Sequence, residues 1–516
     1  MLLMTSFDKQ IDSQFEGYCW VGSDLVIGSA GAEAYKRQTT SSITPGNDGC
    51  YVVAEVTSDR CTIGTDSRGL RRLFLFQRGT IWAVGSSFAG LVDHLRHRGV
   101  ELKPSPAILS AYAVQRGFNN QLAGAQTPIE DITLVPSFAT LVIEHGVATL
   151  EYSSEQAIGD YETALSTYLS RWKGRLATLL TDDRVRIQAD LSGGIDSRMV
   201  AAFLLSDPQF DPNDDRFDVV SARGKTRDFE VATQIASHYR ISLKGQRDRD
   251  RSNISQAASL RSWNADSLGV YLPAYFHGGR FDLTQVHLHG AGGGNFRPYY
   301  SGDDLERQIR HSRKVLTDAH YEEWRANVLE TSALHQAHRA SVNSLILHYR
   351  EFRNRFHFGH RPHHNIVFAP LESILTDCIT DRLDGRDGRQ IYFDSMESLA
   401  PGLMHFPFDK TTKAPSEENI RHLTLVETEE TPIGAIFGEP STEVEQSDID
   451  DAYMEWVADS EEAFAREEVL SFVGEKCAAS ARFVLDQVSA KRKVFPAHDR
   501  GIIDLSFVRS VDFVMR

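Results

Sequence analysis

The 516-residue sequence is most informative first for what it is short of. Its five cysteines, Cys19, Cys50, Cys61, Cys378 and Cys477, are odd in number, widely spread and without the paired short spacing that zinc or dithiol exchange requires. Buried free thiols are expected. No Lys/Arg-rich block offsets a formal charge of −16, so a phosphate backbone would be repelled and nucleic acid is not an expected partner. No apolar run is long enough to span a bilayer, and Met1 to Lys9 lacks the basic stretch and apolar core of a secretion signal. A cytoplasmic protein with no membrane partner is expected, and a homodimer is left open. No long-period repeat marks a solenoid or propeller. The one biased stretch is acidic, Glu427 to Glu468, where prolines among carboxylates predict a loose loop over part of its length.

What is present is an ordinary globular balance, 41% hydrophobic and 24% charged, in a chain too long for a single core. From Cys50 to Gly64, CYVVAEVTSDRCTIG alternates β-branched residues around a turn at Ser58 and Asp59 and predicts a hairpin. A second strand pair is expected at Arg72 to Gln77 and Thr80 to Val84, a helix over Pro104 to Tyr112, and a strand over Leu134 to Glu144 ending in the turn His145-Gly146. The last strongly patterned helix is Glu467 to Val488.

Four elements of this half, DSRG at Asp66 to Gly69, Leu73-Phe74, Ser86-Ser87 and LVPSFATLVIEHG from Leu134, resemble the glutaminase domain of asparagine synthetases. In that family an N-terminal cysteine attacks glutamine with its own α-amine as base. Here the first cysteine is Cys19, and Leu2 and Leu3 cannot act as nucleophiles. Loss of the nucleophile is the pattern of β-lactam and carbapenam synthetases, which keep the domain as scaffold and use an amine already in the substrate. The resemblance implies a degenerate Ntn-hydrolase-like sandwich over residues 1–155, ahead of a doubly wound parallel sheet with additional helices over 156–516, an α+β domain followed by an α/β one.

VRIQADLSGGIDSRMVAAFLL, Val185 to Leu205, runs from an apolar strand through a Gly-rich loop into a helix. Gly193 and Gly194, lacking Cβ atoms, let successive N–H groups from Leu191 onward turn inward, while the helix entrance near Ser197 adds its positive dipole end. Ser192 and Ser197 supply hydroxyl donors. Asp196 would repel a bare pyrophosphate, so its place in the loop predicts a bound Mg²⁺ that bridges phosphate oxygens. The plain alternative is a tight strand-to-helix turn with no ligand. The pattern SGGxDS resembles the pyrophosphate loop of the N-type ATP pyrophosphatases, shared by asparagine and β-lactam synthetases, which cleave ATP between its α and β phosphates.

Asp218 to Ala222 and Asp228 to His238 predict the next parallel strand and helix. In the family this strand ends beside the adenine and ribose and an acidic residue opens the next helix; Ser221 and Asp228 are similar by position, with a plain helix-start carboxylate the alternative for Asp228. VHLHGAGGGNFRPYY, Val286 to Tyr300, sits where asparagine synthetases carry a GEGSDE-like loop. Backbone N–H groups of Gly290 to Asn295, Gly292 and Gly293 among them, are candidates for cradling pyrophosphate. Ala291 replaces a residue tied to the chemistry, and Gly294 a magnesium-binding aspartate. Arg297 is a candidate for neutralising a polyphosphate, and Tyr299 or Tyr300 for acid–base substitutes; packing of a strand end is the alternative.

PLESILTDCI, Pro370 to Ile379, resembles the family's pocket-lining segment and makes Glu372 its acid; an exposed helix-start glutamate is the alternative. FPFDKTTKAP, Phe406 to Pro415, falls where the family places a lysine against the pentacovalent α-phosphate and the leaving pyrophosphate. Lys410 and Lys413 both qualify. HYREFRNRFHFGHRPHH, His348 to His364, gathers basic groups whose spacing does not suit zinc. Arg350, Arg353 and Arg355 are read as a basic wall facing phosphate or an acidic substrate, or else as an ordinary helix end.

Together the resemblance implies an AMP-forming carbon–nitrogen ligase: ATP and Mg²⁺ activate a small-molecule or peptide carboxylate, and an amine attacks, by ring closure or by amidation, in specialised-metabolite, peptide or polysaccharide biosynthesis. The alternative, suggested by Ala291 and Gly294, is a catalytically degenerate relative that binds nucleotide as a regulatory partner.

Overall fold

The computed structural model describes residues 1–8, 11–154, 159–245, 257–274, 283, 285–301, 304–383, 385–439, 449–490 and 499–516. The expected division at 155/156 lies outside the described residues. Sixteen strands are described: β1 Leu3–Thr5, β2 Gln14–Val21, β3 Asp24–Ile27, β4 Asp48–Val56, β5 Arg60–Thr65, β6 Phe74–Arg78, β7 Ile81–Gly85, β8 Ile132–Leu134, β9 Ala139–Glu144, β10 Val147–Tyr152, β11 Ile187–Asp190, β12 Phe217–Ser221, β13 Leu243–Gly245, β14 Val286–Leu288, β15 Val367–Phe368 and β16 Ile436–Phe437. They form a four-stranded sheet in the order β1-β7-β6-β8, a seven-stranded sheet in the order β10-β9-β5-β4-β2-β3-β16, and a five-stranded sheet in the order β13-β12-β11-β14-β15.

The first two sheets lie face to face, and the two-residue period of a strand explains their layering. Val52 and Ala54 of β4, Leu75 of β6 and Trp82 and Val84 of β7 point between the sheets and form one core with Leu141. The intervening side chains point outward: Tyr51 and Val53 pack under helix Gly28–Thr39, and Phe74, Phe76 and Ala83 under helices Phe88–His97 and Pro106–Ala111. Both faces of the central strands are covered, whereas edge strand β10 leaves one face exposed. The expected hairpins are present, β4 with β5 and β6 with β7, and β9 turns into β10 through His145-Gly146, both at positive φ. Cys19, Cys50, Cys61 and Cys378 are buried and Cys477 is half-buried, all free thiols; burial raises the Cys61 thiol to about 11.

The five-stranded sheet is wholly parallel. Its order reverses at β11: the chain steps outward to β12 and β13, then returns to the other side as β14 and β15. The carboxyl ends of β11 and β14 therefore flank a switch point, the crevice where open α/β sheets place ligands.

Two elements tie the halves together and were not expected. β16, from residues 436–437, pairs in parallel with β3 and completes the sheet of the first half. Helix Arg500–Met515 is buried over almost its whole length and packs Phe513 against Phe88. It escaped the pattern reading because its polar residues, Asp504, Ser506, Arg509, Ser510 and Asp512, are spread around the helix and buried with the apolar ones, which leaves no contrasting face. The acidic stretch contains helix Ile449–Ala465; its residues 440–448 lie outside the described residues. The helix expected over Glu467 to Val488 is two, Glu467–Val473 and Glu475–Ser489, broken at Gly474. No described helix is long and apolar enough to cross a membrane.

The basic segment does not form a ligand-facing wall. Every residue from Arg350 to Asn354 is buried, in a π-helical turn. Arg355 donates to Gly69 O and Val135 O and pairs with Glu351, and Arg350 pairs with Asp377 at 3.0 Å. Arg68, from the first half, donates to both oxygens of Asp377 and to the carbonyls of Glu372 and Ser373. Asp48 accepts from Arg175 at 2.7 Å and from Ser373 and Ile374. These arginines satisfy carbonyls and carboxylates across the junction.

Arg68→Met is expected to lower stability by about 3 kcal/mol, toward the low end for a broken buried pair because Arg350 still holds Asp377; urea unfolding followed by circular dichroism checks it. Burial alone would raise the Asp48, Glu351 and Asp377 carboxyls, but their arginines outweigh it and hold all three below the usual carboxylate range. Depressed acids stabilise the fold above the unfolded value near about 4 and lose that contribution as pH falls through their folded values, so the unfolding midpoint should drop steeply below about pH 4.

Candidate functional site

β11 carries Ile187 and Ala189 into the core and leaves Gln188 and Asp190 half-buried. Leu191, buried, prolongs the strand by donating its N–H to Val220 O. The chain then turns through Ser192–Gly194 into helix Ile195–Ser206, whose first residues receive no side-chain cap. That leaves the positive helix end open to an anion. Ser192 Oγ accepts from Gly194 N–H at 3.1 Å and lies 2.7 Å from Ser197 Oγ, so two hydroxyls meet at the helix entrance.

Glycine is required at 193 by close approach. A Cβ there would stand 2.9 Å from Asp409 Cβ and 3.2 Å from Asp228 Oδ1, and Asp409 N–H donates to Gly193 O at 3.0 Å. Ser221, at the end of β12, is buried with its hydroxyl lacking a hydrogen-bond partner.

Arg198 explains how residues 406–413 reach this loop from so far along the chain. It is fully buried, donates to Phe406 O at 2.9 Å and Pro407 O at 2.6 Å, and lies 3.8 Å over the Phe408 ring. Burial pulls its guanidinium down to about 10, with Asp409 opposing. The charge is thus held one turn inside the helix, and the segment it pins delivers Lys413. Lys413 Nζ pairs with Asp409 Oδ2 at 2.8 Å and lies 3.7 Å from where a Cβ on Gly194 would be. Lys410 is exposed. Of the two lysines left open by the sequence, Lys413 is the one at the loop.

The second Gly-rich turn folds back onto the first. A Cβ on Gly293 would overlap Asp196 Oδ1 and sit 2.6 Å from Tyr392 Oη; Gly292, at φ +101°, lies against Leu371 O. Behind the turn, Asn295 donates to Glu372 Oε2 at 2.9 Å and Asn354 to the same oxygen at 2.7 Å. Glu372 is therefore a buried anchor of the second turn, not an exposed helix-start residue. Burial raises its carboxyl, with Arg68 and the two amides opposing. Tyr300 is buried in an aromatic cluster with Phe118 and His348, and exposed Tyr299 packs at a tilt against Tyr349, whose ring lies against Gly294.

Asp196 is not an open carboxylate. Arg297 Nη2 donates to both of its oxygens, at 2.9 and 2.8 Å, and Tyr392 donates its phenol to Oδ1 at 2.5 Å. Tyr392 is fully buried, and burial first and Asp196 second keep its phenol protonated. Burial alone would lower the Arg297 guanidinium, but the Asp196 carboxylate opposes it and the guanidinium stays charged. A divalent ion about 4 Å from that guanidinium would meet a repulsion of roughly 8 kcal/mol at an effective dielectric near 20. The residues at Asp196 do not fit the expected Mg²⁺, and no group of three His, Cys, Asp or Glu able to hold a metal occurs among the described residues. They do fit a polyphosphate, through an uncapped helix entrance, two hydroxyls and Lys413.

Sequence reading missed Tyr392, Arg198 and Asp409, whose only signals are long-range contacts. It also missed Asp190, which faces His287 Nε2 at 3.3 Å and His289 Nε2 at 4.0 Å across the switch point. Ala291 N–H donates to His289 Nδ1, which leaves its proton on Nε2 toward Asp190. Burial pushes His289 down to about 3, so it is neutral.

Neither protein-family models nor curated proteins provide a match to this chain.

Arg198→Leu should free the carbonyls of Phe406 and Pro407. Amide hydrogen exchange in residues 406–413 is expected to quicken by about tenfold or more, since charge-assisted hydrogen bonds contribute roughly 1.5–3 kcal/mol each. Unchanged exchange would mean that the segment is held by something else.

Proposed function

We propose that this chain is an ATP-dependent, AMP-forming amide ligase of the asparagine-synthetase and β-lactam-synthetase kind, acting on a small-molecule or peptide carboxylate. The observation that carries the reading is the convergence, at the sheet's switch point, of an uncapped helix entrance, the Ser192–Ser197 hydroxyl pair and Lys413. Each alone is common; Lys413 is separated from Gly194 by more than 200 residues of chain and still stands beside it.

In this reading ATP is a substrate. A carboxylate oxygen attacks the α-phosphorus, the bond between the α-phosphorus and the bridging oxygen to the β-phosphate breaks, and pyrophosphate leaves with the electron pair. An amine then attacks the acyl carbon, and AMP departs. The helix N–H groups and the two serine hydroxyls bind the phosphate oxygens. Lys413, held by Asp409, meets the negative charge that grows as pyrophosphate separates, which is where a fixed cation lowers the barrier. Gly193 admits the close backbone approach that sets the loop's shape, and Glu372 with Asn295 holds the second turn against it. Asp228, beside Gly193, and Ser221, with a free hydroxyl, suit the nucleoside end.

One observation favours a second reading. Ala291 and Gly294 put no carboxylate in the second turn, and Asp196 is already neutralised by Arg297. A nucleotide-binding partner without turnover fits that pattern.

ATP–pyrophosphate exchange with a panel of candidate acids separates the two. Exchange is expected from the ligase, and Lys413→Ala should lower it by about 100-fold or more while Lys410→Ala leaves it near the parent rate. Nucleotide binding with no exchange under any acid would favour the second reading; equal loss in both lysine variants would remove Lys413 from its role.

A further inference from the structure

We infer that Arg297 is the resident cation of the Ser192–Ser197 loop, so that the chain binds a nucleoside polyphosphate without a metal ion on Asp196. This rests on the nucleotide-binding reading above and goes further, because it names which charge neutralises the phosphates.

Three observations support it. First, Asp196 is largely occupied: Arg297 takes both oxygens and Tyr392 one of them, using three of the roughly four lone-pair directions of a carboxylate. Second, there is no room to add to this group on its glycine side. A Cβ on Gly293 would overlap Asp196 Oδ1 and lie 3.1 Å from Arg297 Nη2, so the second turn closes directly over the pair. Third, Arg297 is not used up. Its Nη2 serves Asp196, whereas its Nε is buried without a partner, and the side chain is 32% exposed. A guanidinium has five N–H donors in a fixed fork, enough to keep the carboxylate and still present two to a phosphate.

The geometry of the support is that of a positioned cation. The guanidinium carbon lies 5.7 Å from the centre of the Tyr392 ring, and Tyr392, on helix Gln390–Leu399, is held by a core that includes Phe296. Asp196 sits in the first turn of its own helix, and Arg297 follows immediately on the second turn. Two glycine-rich segments and one buried phenol therefore fix a single positive group at the helix entrance. A phosphate there would meet the helix dipole and Lys413, with Arg297 as a second cation oriented by Asp196 in the helix's first turn.

The test is calorimetric titration of the full chain with ATP, once with excess Mg²⁺ and once with excess EDTA. The parent protein is expected to bind with affinities within about threefold in the two conditions, and Arg297→Ala to lose about 10- to 100-fold in EDTA, the size of one or two charge-assisted hydrogen bonds. Arg297→Ala should regain part of that loss when Mg²⁺ is added, because Asp196 is then free to take the metal, and Arg297→Lys should keep most of the EDTA affinity. Binding by the parent protein that collapses in EDTA overturns the inference while leaving the nucleotide reading intact. Binding in EDTA that Arg297→Ala does not reduce overturns it as well. No binding of ATP by the parent protein in either condition overturns the nucleotide reading and this inference with it. Circular dichroism and the unfolding midpoint of each variant separate loss of the cation from loss of the fold.

Discussion

A charge taken out of water must be matched, and this molecule matches its charges across long stretches of chain. Arg68 and Arg350 share Asp377, Arg355 spans Glu351 and two carbonyls of the first half, and Arg175 meets Asp48 beside Ser373. The Arg68–Asp377 and Arg175–Asp48 pairs and the bonds from Arg355 to Gly69 O and Val135 O join the sandwich to the second half. Geometry is demanding in such pairs, since an ion with one partner missing is heavily penalised. They therefore specify how the two halves meet as well as adding to the apolar cores that span them.

The same rule shapes the candidate site. Arg198 is buried because it feeds the carbonyls of Phe406 and Pro407, and that is what brings Lys413 to Gly194. Glu372 is buried because Asn295 and Asn354 reach it, which sets the second glycine-rich turn. Asp196, in the first turn where the helix dipole favours an acid, is held by Arg297 and Tyr392. Small residues at 193 and 293 then permit the two turns and the 406–413 segment to close on one another. The result is a concentration of donors at the place in the parallel sheet where the strand order reverses.

Much of this was legible from local pattern. The strand, loop and helix at Val185–Leu205, the hairpin at Cys50–Gly64 and the turn at His145-Gly146 are set by periodicity and by glycine, which act over a few residues. Three features were not legible. Helix Arg500–Met515 is buried on every side, its polar residues scattered among apolar ones, and shows no face to detect. The arginines of the 350–355 segment look like a surface charge cluster until the carbonyls they serve are seen to come from residues 69, 135 and 295. β16 is two residues long and has meaning only as a neighbour of β3.

By itself, then, the sequence determined the Gly-rich strand-loop-helix at Val185–Leu205 and the hairpins of the sandwich, because these follow from spacing and composition. The tertiary structure alone decided that Lys413 and not Lys410 faces the loop, that Glu372 is an anchor, and that Asp196 holds an arginine. Those outcomes depend on which side chains meet after distant segments pack, and a buried polar group takes its role from the partner that satisfies it.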